Sequence, residues 1–389
     1  MATRPTLRLS FLAGTVVAAA ALLAAALVAP LGAQQPAGAH IKLGISGVMC
    51  GPLSVLGQDY REGAQLAVNE INAKGGVLGR PLQLFPVDNA NDPAQGVTAA
   101  GHLIDVVKVS AFIGSSGSSV TLAVMPVIER AAVVQLTVGS TNPKITQQAG
   151  KGGNVWQYRM NIDDSIMARA FSEVIASEVK SVAIVGANND YGRGAADAFR
   201  SHLTPKGVKI TSVEYYTSGQ PDYRPMLTKI KAAAPEGIIV VADAPDAAPM
   251  AAQYTELGMT QKIYGRGSVV TTEFRSLVRD PKIWDGAKEV NRWAPSGSTV
   301  EKSYEKAYGR TPRIHAILPY YGIHVLAEAI RIAGSDDRKA VRDALEKVKL
   351  DFPELGPVQF DEYHQAHPDM FITQFQDGKI VTLGRRPTK

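Results

Sequence analysis

The sequence predicts an α/β fold built from two similar halves. Short apolar runs alternate with segments of helical periodicity almost throughout the chain, a pattern typical of β-α-β units with a parallel sheet covered by helices on both faces. The same rhythm starts again near Asp163. A chain of 389 residues is also longer than one hydrophobic core usually supports. We therefore expect two domains in succession, each with a parallel-rich sheet.

Residues 1–33 are predicted to be a signal peptide. Arg4 and Arg8 precede an almost unbroken apolar stretch, 11–28, and small residues then lead to Ala33, which is the order of a secretory signal. An uncleaved membrane anchor is the alternative, because a stretch of about 18 residues is at the short end of a membrane span. We expect cleavage near Ala33 and export to the periplasm.

The first half alternates strictly between strands and helices. Apolar runs rich in Ile, Leu and Val predict the strands, and amphipathic segments predict the helices. Strands are expected at 41–45, 82–87, 109–113 and 133–136. Helices are expected between them, at 57–72, 93–107 and 118–130.

The second half repeats this alternation, beginning with a helix. Helices are expected at 164–177, 191–203, 223–233 and 245–257. Strands are expected at 182–185, 208–215, 237–241 and 262–264. No low-complexity linker separates the halves, which favours domains joined by short crossing segments.

The C-terminal part is mixed. Helices are expected at 300–308, 315–333 and 338–348, and strand-like runs at 357–360, 370–376 and 379–382. Asp377 and Gly378 separate the last two runs, and an Asp-Gly pair between two strands predicts a hairpin.

The net charge bears on the partners of this chain, and the cysteine content bears on its stability. Removal of Arg4 and Arg8 lowers the formal charge from +5 to +3, which gives no sign of a nucleic-acid partner. Cys50 is the only cysteine, so no intrachain disulfide can form. Stability must therefore come from a large hydrophobic core.

The motifs expected of an enzyme are missing. No G-x-S-x-G pentapeptide occurs, and no G-x-G-x-x-G fingerprint or Walker loop follows a strand. His364 and His367 form an H-x-x-H pair in a polar loop without a third ligand at recognisable spacing, and other histidines on predicted helices are interpreted as surface or packing residues. We expect no catalytic activity, no cofactor and no metal.

Five motifs in order carry a resemblance to a known family. They are IKLGISGVMCGPLSVLG at 41–57, GAQLAVNEINAKGGVLG at 63–79, VDNANDP at 87–93, FIGSSGSSVT at 112–121 and NNDYGRG at 188–194. In these the chain resembles periplasmic substrate-binding proteins of the branched-chain amino acid type, the receptor components of ABC importers. The resemblance covers essentially the whole mature chain.

The resemblance implies an architecture and partners. It implies two Rossmann-like lobes joined by three crossings, one formed by 41–160 plus 292–350 and the other by 161–291 plus 351–389, with ligand held in the cleft between them. It also implies a monomer that delivers a small-molecule carboxylate to permease subunits at the membrane. A ligand-sensing module that feeds a signalling receptor is the alternative, because the same fold serves in sensors.

Ser116, Gly117 and Ser118 are predicted to bind a carboxylate. They lie between the strand at 109–113 and the helix at 118–130, and exposed amides and hydroxyls at a helix N-terminus form an anion site at the carboxyl edge of a sheet. The alternative is that Ser118 only caps its helix.

Four further residues are assigned by the resemblance. It implies that Gly139 offers its carbonyl and Thr141 its hydroxyl and amide to the ligand, whereas Ser140 is equally well explained as part of an ordinary turn. It implies that Tyr191 closes over the ligand from the opposing lobe, the alternative being packing at a helix start.

The remaining site residues depart from the family pattern. The position at which the amino acid binders carry an acid for the ligand ammonium is Gly267, with Arg266 beside it. Asp243 and Leu56 stand where the family has aromatic residues. Three interpretations of Asp243 remain open. It binds the ligand ammonium in place of the missing acid, or it pairs with Arg266. In the third, Asp243 and Arg266 are both solvated at loop ends.

Two ligand classes follow from these departures. One is an aliphatic amino acid with Asp243 as relocated counter-charge, and the other is a carboxylate without an α-amino group, such as an aromatic acid. Gly267 favours the second, since loss of a charge-assisted contact in a dry cleft weakens binding. In either case the ligand carboxylate is expected on Ser118 and Thr141, followed by hinge closure.

Overall fold

The structure is a computed structural model that describes residues 1–2 and 39–388. The predicted signal segment from residue 3 to residue 33 lies outside the described residues. All described helices and strands lie in the compact unit His40–Lys389. None of the helices in the described part of the chain is long and apolar enough to cross a membrane.

The first sheet is parallel and has five strands in the order β2-β1-β3-β4-β5. Its strands are β1 (Ile41–Gly47), β2 (Leu82–Asp88), β3 (Ala111–Ile113), β4 (Val134–Thr137) and β5 (Gln157–Arg159). The helices of this segment are α1 (Ser54–Ala73), α2 (Pro93–Gly101), α3 (Ser118–Ala131) and α4 (Pro143–Gln147). A π-helix, His102–Val107, follows α2, so the single helix predicted at 93–107 is divided in two.

The second segment continues the alternation. Its strands are β6 (Ser181–Ala187), β7 (Lys209–Tyr216), β8 (Gly237–Ala242), β9 (Lys262–Gly267) and β10 (Lys288–Asn291). Its helices are α5 (Asp164–Glu178), α6 (Asp190–Leu203), α7 (Arg224–Ala232), α8 (Ala244–Glu256) and α9 (Thr272–Leu277), with a 3₁₀ turn at Thr204–Lys206.

The C-terminal segment supplies three helices and four strands. They are α10 (Thr299–Tyr308), α11 (Ile314–Ala333), α12 (Arg338–Leu345), β11 (Leu350–Phe352), β12 (Gly356–Val358), β13 (Met370–Gln376) and β14 (Lys379–Arg386). The second sheet has the order β14-β13-β10-β9-β8-β6-β7, with β13 and β14 antiparallel. Asp377 and Gly378 both have positive φ, which makes the predicted hairpin turn a type I′ turn.

The α/β fold class is confirmed, and the five missed helices and strands share a reason. Helices α4 and α9 and strands β5, β10 and β11 are 3–6 residues long. They carry polar residues such as Gln157, Lys288 and Glu289, so neither the apolar run nor the helical period that predicts an element was present.

Separate hydrophobic cores support the two sheets, and we use them to define two lobes. The first lobe contains β1–β5 with α10–α12, and the second contains β6–β10 with β13 and β14. Leu355, Val358, Phe360 and Ala366 pack into the core of the first lobe, although the sequence division assigned 351–389 to the second. We propose that the chain crosses back to the second lobe just before Met370, because the Met370 side chain packs in the hydrophobic core of that lobe.

The chain crosses between the lobes three times, and hydrogen bonds connect the crossings. Asn161 in the first crossing and Arg292 in the second both donate to the Gly139 carbonyl, at 2.9 and 3.1 Å. Gln365 in the third donates to the Asn161 carbonyl at 2.6 Å and accepts from Arg159 Nε at 2.7 Å. The hinge is therefore one connected polar network that ends at Gly139.

Gly63 allows helices α1 and α11 to pack closely, and its replacement tests that contact. A Cβ at residue 63 would lie 1.9 Å from the Ala316 carbonyl oxygen. We expect Gly63→Ala to lower the free energy of unfolding by about 1–3 kcal/mol, because backbone must move to relieve the overlap. Urea denaturation measures the change.

The matched control is Gly101→Ala at the end of α2, where a Cβ would meet nothing within 4 Å. This variant should be unchanged or more stable by up to about 1 kcal/mol, since alanine loses less backbone entropy on folding. Equal effects at both positions would contradict the packing assignment.

Candidate functional site

A cavity lies between the two lobes. It is bounded by residues that follow the carboxyl ends of parallel strands in both sheets, the edge at which open α/β sheets bind ligands. Its lining residues are Leu53, Leu56, Asn91, Ser116, Gly117, Gly139, Thr141, Ala187, Asn189, Tyr191, Ser218, Asp243, Arg266, Gly267, Arg292 and His315.

Most of the predicted site residues meet at this cavity. Leu56, Ser116, Gly117, Gly139, Thr141, Tyr191, Asp243, Arg266 and Gly267 line it. Ser118 and Ser140 do not, because both side chains are directed into the first lobe. Residues from the two halves of the sequence thus form one site.

The Ser118 hydroxyl holds the neighbouring loop rather than an open anion position. Its oxygen accepts the amides of Thr141 and Asn142 at 3.3 and 3.2 Å. It does not cap α3, whose N-cap is Gly117 with no side-chain cap. A hydroxyl that accepts two amides can still donate its own hydrogen, so the expectation that Ser118 binds a carboxylate stays a prediction. Its interpretation as a simple cap does not match the uncapped start of α3.

Ser140 is buried behind the cavity wall. Its hydroxyl donates to the Ser115 carbonyl at 2.9 Å and lies 2.8 Å from the Thr121 hydroxyl. These bonds tie the loop after β4 to the start of α3. Of the two interpretations of Ser140, its contacts match the structural turn.

Donors remain available at the start of α3. The amides of Ser118, Ser119 and Val120 have no acceptor among the described residues, and neither the amide nor the hydroxyl of Ser116 has a partner there. Ser116 and Gly117 line the cavity. A helix N-terminus without a side-chain cap presents its amides and the positive end of its dipole to an anion.

The Gly139 carbonyl is fully occupied. It already accepts from Asn161 Nδ2 and from Arg292 Nη1, and a carbonyl oxygen has two lone pairs. The implied contact between this carbonyl and a ligand donor is therefore unavailable in this conformation. The adjacent cation of Arg292 also disfavours a ligand ammonium there.

Gly267 cannot be replaced by an acid without a clash. Its φ is +127°, and a Cβ would lie 2.3 Å from the Ala242 carbonyl oxygen and 2.4 Å from the Tyr191 hydroxyl. The backbone conformation and the packing both require glycine. The second lobe therefore has no acid at the position where the resemblance implies one.

Arg266 pairs with Asp164 and not with Asp243. Its Nε and Nη2 lie 2.7 and 2.6 Å from Asp164 Oδ1, and both side chains are buried. Burial alone would lower the pKa of Arg266, but the Asp164 carboxylate outweighs it and raises that pKa. Since removal of either partner would leave a buried unpaired charge, this pair is a structural part of the wall.

Tyr191 contributes its ring to the cavity. Its hydroxyl donates to the Arg266 carbonyl at 3.0 Å, and its ring centre lies 5.7 Å from the Arg266 guanidinium. The hydroxyl is thus bonded within the second lobe, which leaves the ring face as the surface offered to a ligand.

Asp243 is the unpaired acid of the cavity. Among the described residues its carboxylate has no hydrogen bond and no cation within 4.0 Å. Burial raises the pKa of the Asp243 carboxyl, and the charge of His315 opposes that rise. A proton, a ligand donor or a cation would therefore stabilise this carboxylate in the cavity.

Arg292 and His315 are functional candidates that the sequence did not reveal. Arg292 follows β10, which was too short and polar to predict. His315 lies in the first turn of α11, where it was interpreted as a surface or packing residue. Its Nδ1 lies 3.4 Å from Glu273 Oε2. Asn91, Asn189 and Ser218 also follow strand ends, and that position was the one signal available for them.

No metal site is found among the described residues, where no group of three or more His, Cys, Asp or Glu side chains is placed to hold an ion. His364 instead stacks on Tyr158 with ring centres 3.9 Å apart, and His367 Nε2 lies 2.8 Å from Asp361 Oδ2.

Comparisons with known proteins identify the family. A family model described as periplasmic binding protein matches residues 40–379. A relative named amino acid binding protein, from Pseudomonas aeruginosa, is 31% identical over 322 residues, which cover 81% of this chain and 85% of that protein.

Solved structures of similar proteins agree on the fold. The branched-chain amino acid substrate-binding protein LivJ of Streptococcus pneumoniae, in complex with isoleucine, has a TM-score of 0.79 at 25% identity and covers 90% of this chain and 99% of its own. An ABC transporter solute-binding protein of R. palustris in complex with benzoate has a TM-score of 0.81 at 18% identity and covers 90% and 97%. The second likeness is evidence of fold alone.

Replacement of Asp243 tests its unpaired state. A carboxyl whose pKa is raised in the folded state stabilises below its unfolded pKa and loses that contribution as pH rises through the folded pKa. We expect ligand-free Asp243→Asn to be more stable than the parent near neutral pH and to lose this advantage as pH falls toward about 4. Thermal unfolding over that range measures the difference.

The control is Asp197→Asn, since Asp197 is 64% exposed and pairs with exposed Arg200. Its removal should change stability little at any pH. A difference between Asp243→Asn and the parent that stays constant with pH would contradict a raised pKa at Asp243.

Proposed function

We propose a function from one premise: the chain belongs to the periplasmic binding protein family. It is an extracytoplasmic receptor that captures a small carboxylate in the cavity between its lobes. It then presents the closed form to permease subunits of an ABC importer at the membrane. The family is one of solute receptors, which supports binding rather than catalysis as the activity.

The observation that carries this proposal is a polar cavity enclosed by both lobes. Hydrogen bonds also join the two lobes directly: the Asp190 amide donates to Ser119 Oγ at 3.1 Å, and Asn142 Nδ2 donates to the Asp190 carbonyl at 2.5 Å. Ser119 and Asn142 belong to the first lobe, and Asp190 begins α6 in the second. These bonds break when the lobes separate, so they distinguish the closed form from the open one.

Closure strengthens every polar contact of the ligand. A ligand enters the open cleft and places its carboxylate on the free donors of Ser116 and at the N-terminus of α3. The second lobe then brings Tyr191, Asp243 and Arg266 over it. Because water is excluded, the effective dielectric constant falls and each charge-assisted hydrogen bond gains strength. The permease recognises this closed arrangement.

A carboxylate without an α-amino group fits the cavity best. Gly267 has no room for an acid, and the Gly139 carbonyl is occupied by two donors. An ammonium would thus lack two of its expected acceptors and would meet Arg292. An aromatic acid needs neither acceptor and can use the Tyr191 ring.

An aliphatic amino acid is the second candidate, and Asp243 is the observation in its favour. This carboxylate faces the cavity without a partner and could accept an ammonium. Asp243→Asn separates the candidates, because it should abolish binding of an amino acid and leave binding of a simple carboxylate largely intact.

A thermal-shift panel tests the function. The purified protein is heated with leucine, isoleucine, valine, phenylalanine, benzoate, 4-hydroxybenzoate or p-coumarate. A ligand that binds only the folded state raises the melting temperature by mass action, equivalent to about 2.7 kcal/mol at a hundred times its dissociation constant. We expect stabilisation by one or more of the aromatic acids.

Stabilisation by the aliphatic amino acids alone would favour the second candidate. If no organic acid shifts the melting temperature, capture of a small carboxylate by this cavity is wrong.

Two neighbouring serines give a sharper test of the anchor. Ser116 lines the cavity with its hydroxyl free, whereas Ser115 Oγ accepts from the Gly117 amide and Asn89 Nδ2 at 3.0 and 3.1 Å. We expect Ser116→Ala to weaken ligand binding by about 1.5–3 kcal/mol, the value of a hydrogen bond to a charged group, without lowering stability. Calorimetric titration and urea denaturation measure the two effects.

Ser115→Ala is the matched control. It should lower the free energy of unfolding by about 1–3 kcal/mol, because it leaves buried donors unpaired. Unchanged affinity in Ser116→Ala would contradict a carboxylate anchor at the start of α3.

A further inference from the structure

The two arginines of the cavity differ in their electrostatic state. Arg266 is neutralised by Asp164, with nitrogen–oxygen distances of 2.7 and 2.6 Å. Arg292 has no carboxylate within 4.0 Å among the described residues, and its one hydrogen bond there is from Nη1 to the Gly139 carbonyl at 3.1 Å. The closed cavity therefore contains one compensated and one uncompensated guanidinium.

Arg292 is also deeply buried. The residue is 5% exposed, and its Nε–H has no acceptor. Burial and the nearby charge of Arg266 lower the pKa of Arg292. A buried cation with unused donors is unfavourable unless an anion joins it, and Arg292 lines the ligand cavity.

The other charges around Arg292 do not satisfy it. Asp243 is the acid on the same cavity, but it lies beyond ion-pair distance, as do the buried acids Glu289 and Glu273. The hydroxyl of buried Tyr60 has no partner either, and it lies against Gly139, where a Cβ at residue 139 would approach it to 1.7 Å. Gly139 thus lies between two buried side chains with unused donors, Tyr60 and Arg292.

We propose that Arg292 is the specificity-determining cation of the site, which pairs with an anionic oxygen group of the ligand. A guanidinium presents a planar set of donors that matches a carboxylate. This inference rests on the proposed function and deepens it: the carboxylate of an organic acid without an α-ammonium is bound by an ion pair to Arg292 in addition to the donors of Ser116. An ammonium beside that carboxylate is repelled.

The test compares Arg292→Gln and Arg292→Lys with the parent, using benzoate, 4-hydroxybenzoate, p-coumarate and leucine as probes and benzamide as an uncharged analogue. Glutamine keeps a polar side chain with amide donors but carries no charge. We expect Arg292→Gln to bind the acids about 10- to 100-fold more weakly and benzamide no more weakly than the parent does. Arg292→Lys should recover part of the loss, because it keeps the charge without the guanidinium plane.

A second measurement separates binding from folding. Without ligand, Arg292→Gln should be as stable as the parent or more stable, because it removes an uncompensated buried charge. Arg338→Gln is the control for loss of a half-buried arginine, since Arg338 donates to the carbonyls of Val109 and Ile104 away from the cavity. It should leave the affinity for every probe unchanged.

The outcomes distinguish the inference from the function on which it rests. If an acid raises the melting temperature of the parent and of Arg292→Gln by the same amount, the function stands and the role of Arg292 is overturned. The role of Arg292 is also overturned if benzoate and benzamide lose affinity equally, since that result shows a structural role. If no acid stabilises the parent, the proposed function fails and this inference fails with it.

Discussion

The carbonyl of Gly139 is the point on which the cleft depends. It accepts hydrogen bonds from Asn161 in the first crossing and Arg292 in the second, and Gln365 connects the third crossing to Asn161. The residue itself lines the cavity. One backbone group therefore joins the hinge to the wall of the ligand site, and a side chain there would collide with Tyr60 and Ser116. Any change in the angle between the lobes has to be accommodated around this group.

The charged residues of the cavity fall into two kinds: those that are paired within the protein and those that are left without a partner. Arg266 and Asp164 form an ion pair within the second lobe, so the charge of this arginine is compensated without a ligand. Arg292 and Asp243 are incomplete, and each is costly in a closed, dry cavity. A ligand that brings an anion to Arg292 relieves part of that cost, so closure is favoured most when the correct ligand is bound.

The sequence predicted the fold to a large extent and the site in part. Apolar runs such as 41–45 and amphipathic segments such as 57–72 were found because burial imposes a clear period on them. Strand β10 has the sequence KEVN, in which Lys288 and Glu289 hide the burial of the strand, so the position of Arg292 just after it could not be seen. Ser118 was predicted as an anchor from its place at a helix start, but the direction of its hydroxyl depends on the loop at 141–142, which is distant in sequence.

What the sequence alone determined is the alternation of strands and helices, the family, and the strand ends that carry the site. Each of these is encoded locally, in hydrophobic period and turn residues. The tertiary structure alone decided which charges are paired. Asp164, Asp243, Arg266 and Arg292 are spread over about 130 residues of chain, and a difference of a few ångströms determines whether an arginine meets a carboxylate. Because ion pairing depends on distance in space and not on order in the chain, the electrostatic character of this cavity emerges only when the two lobes are folded together.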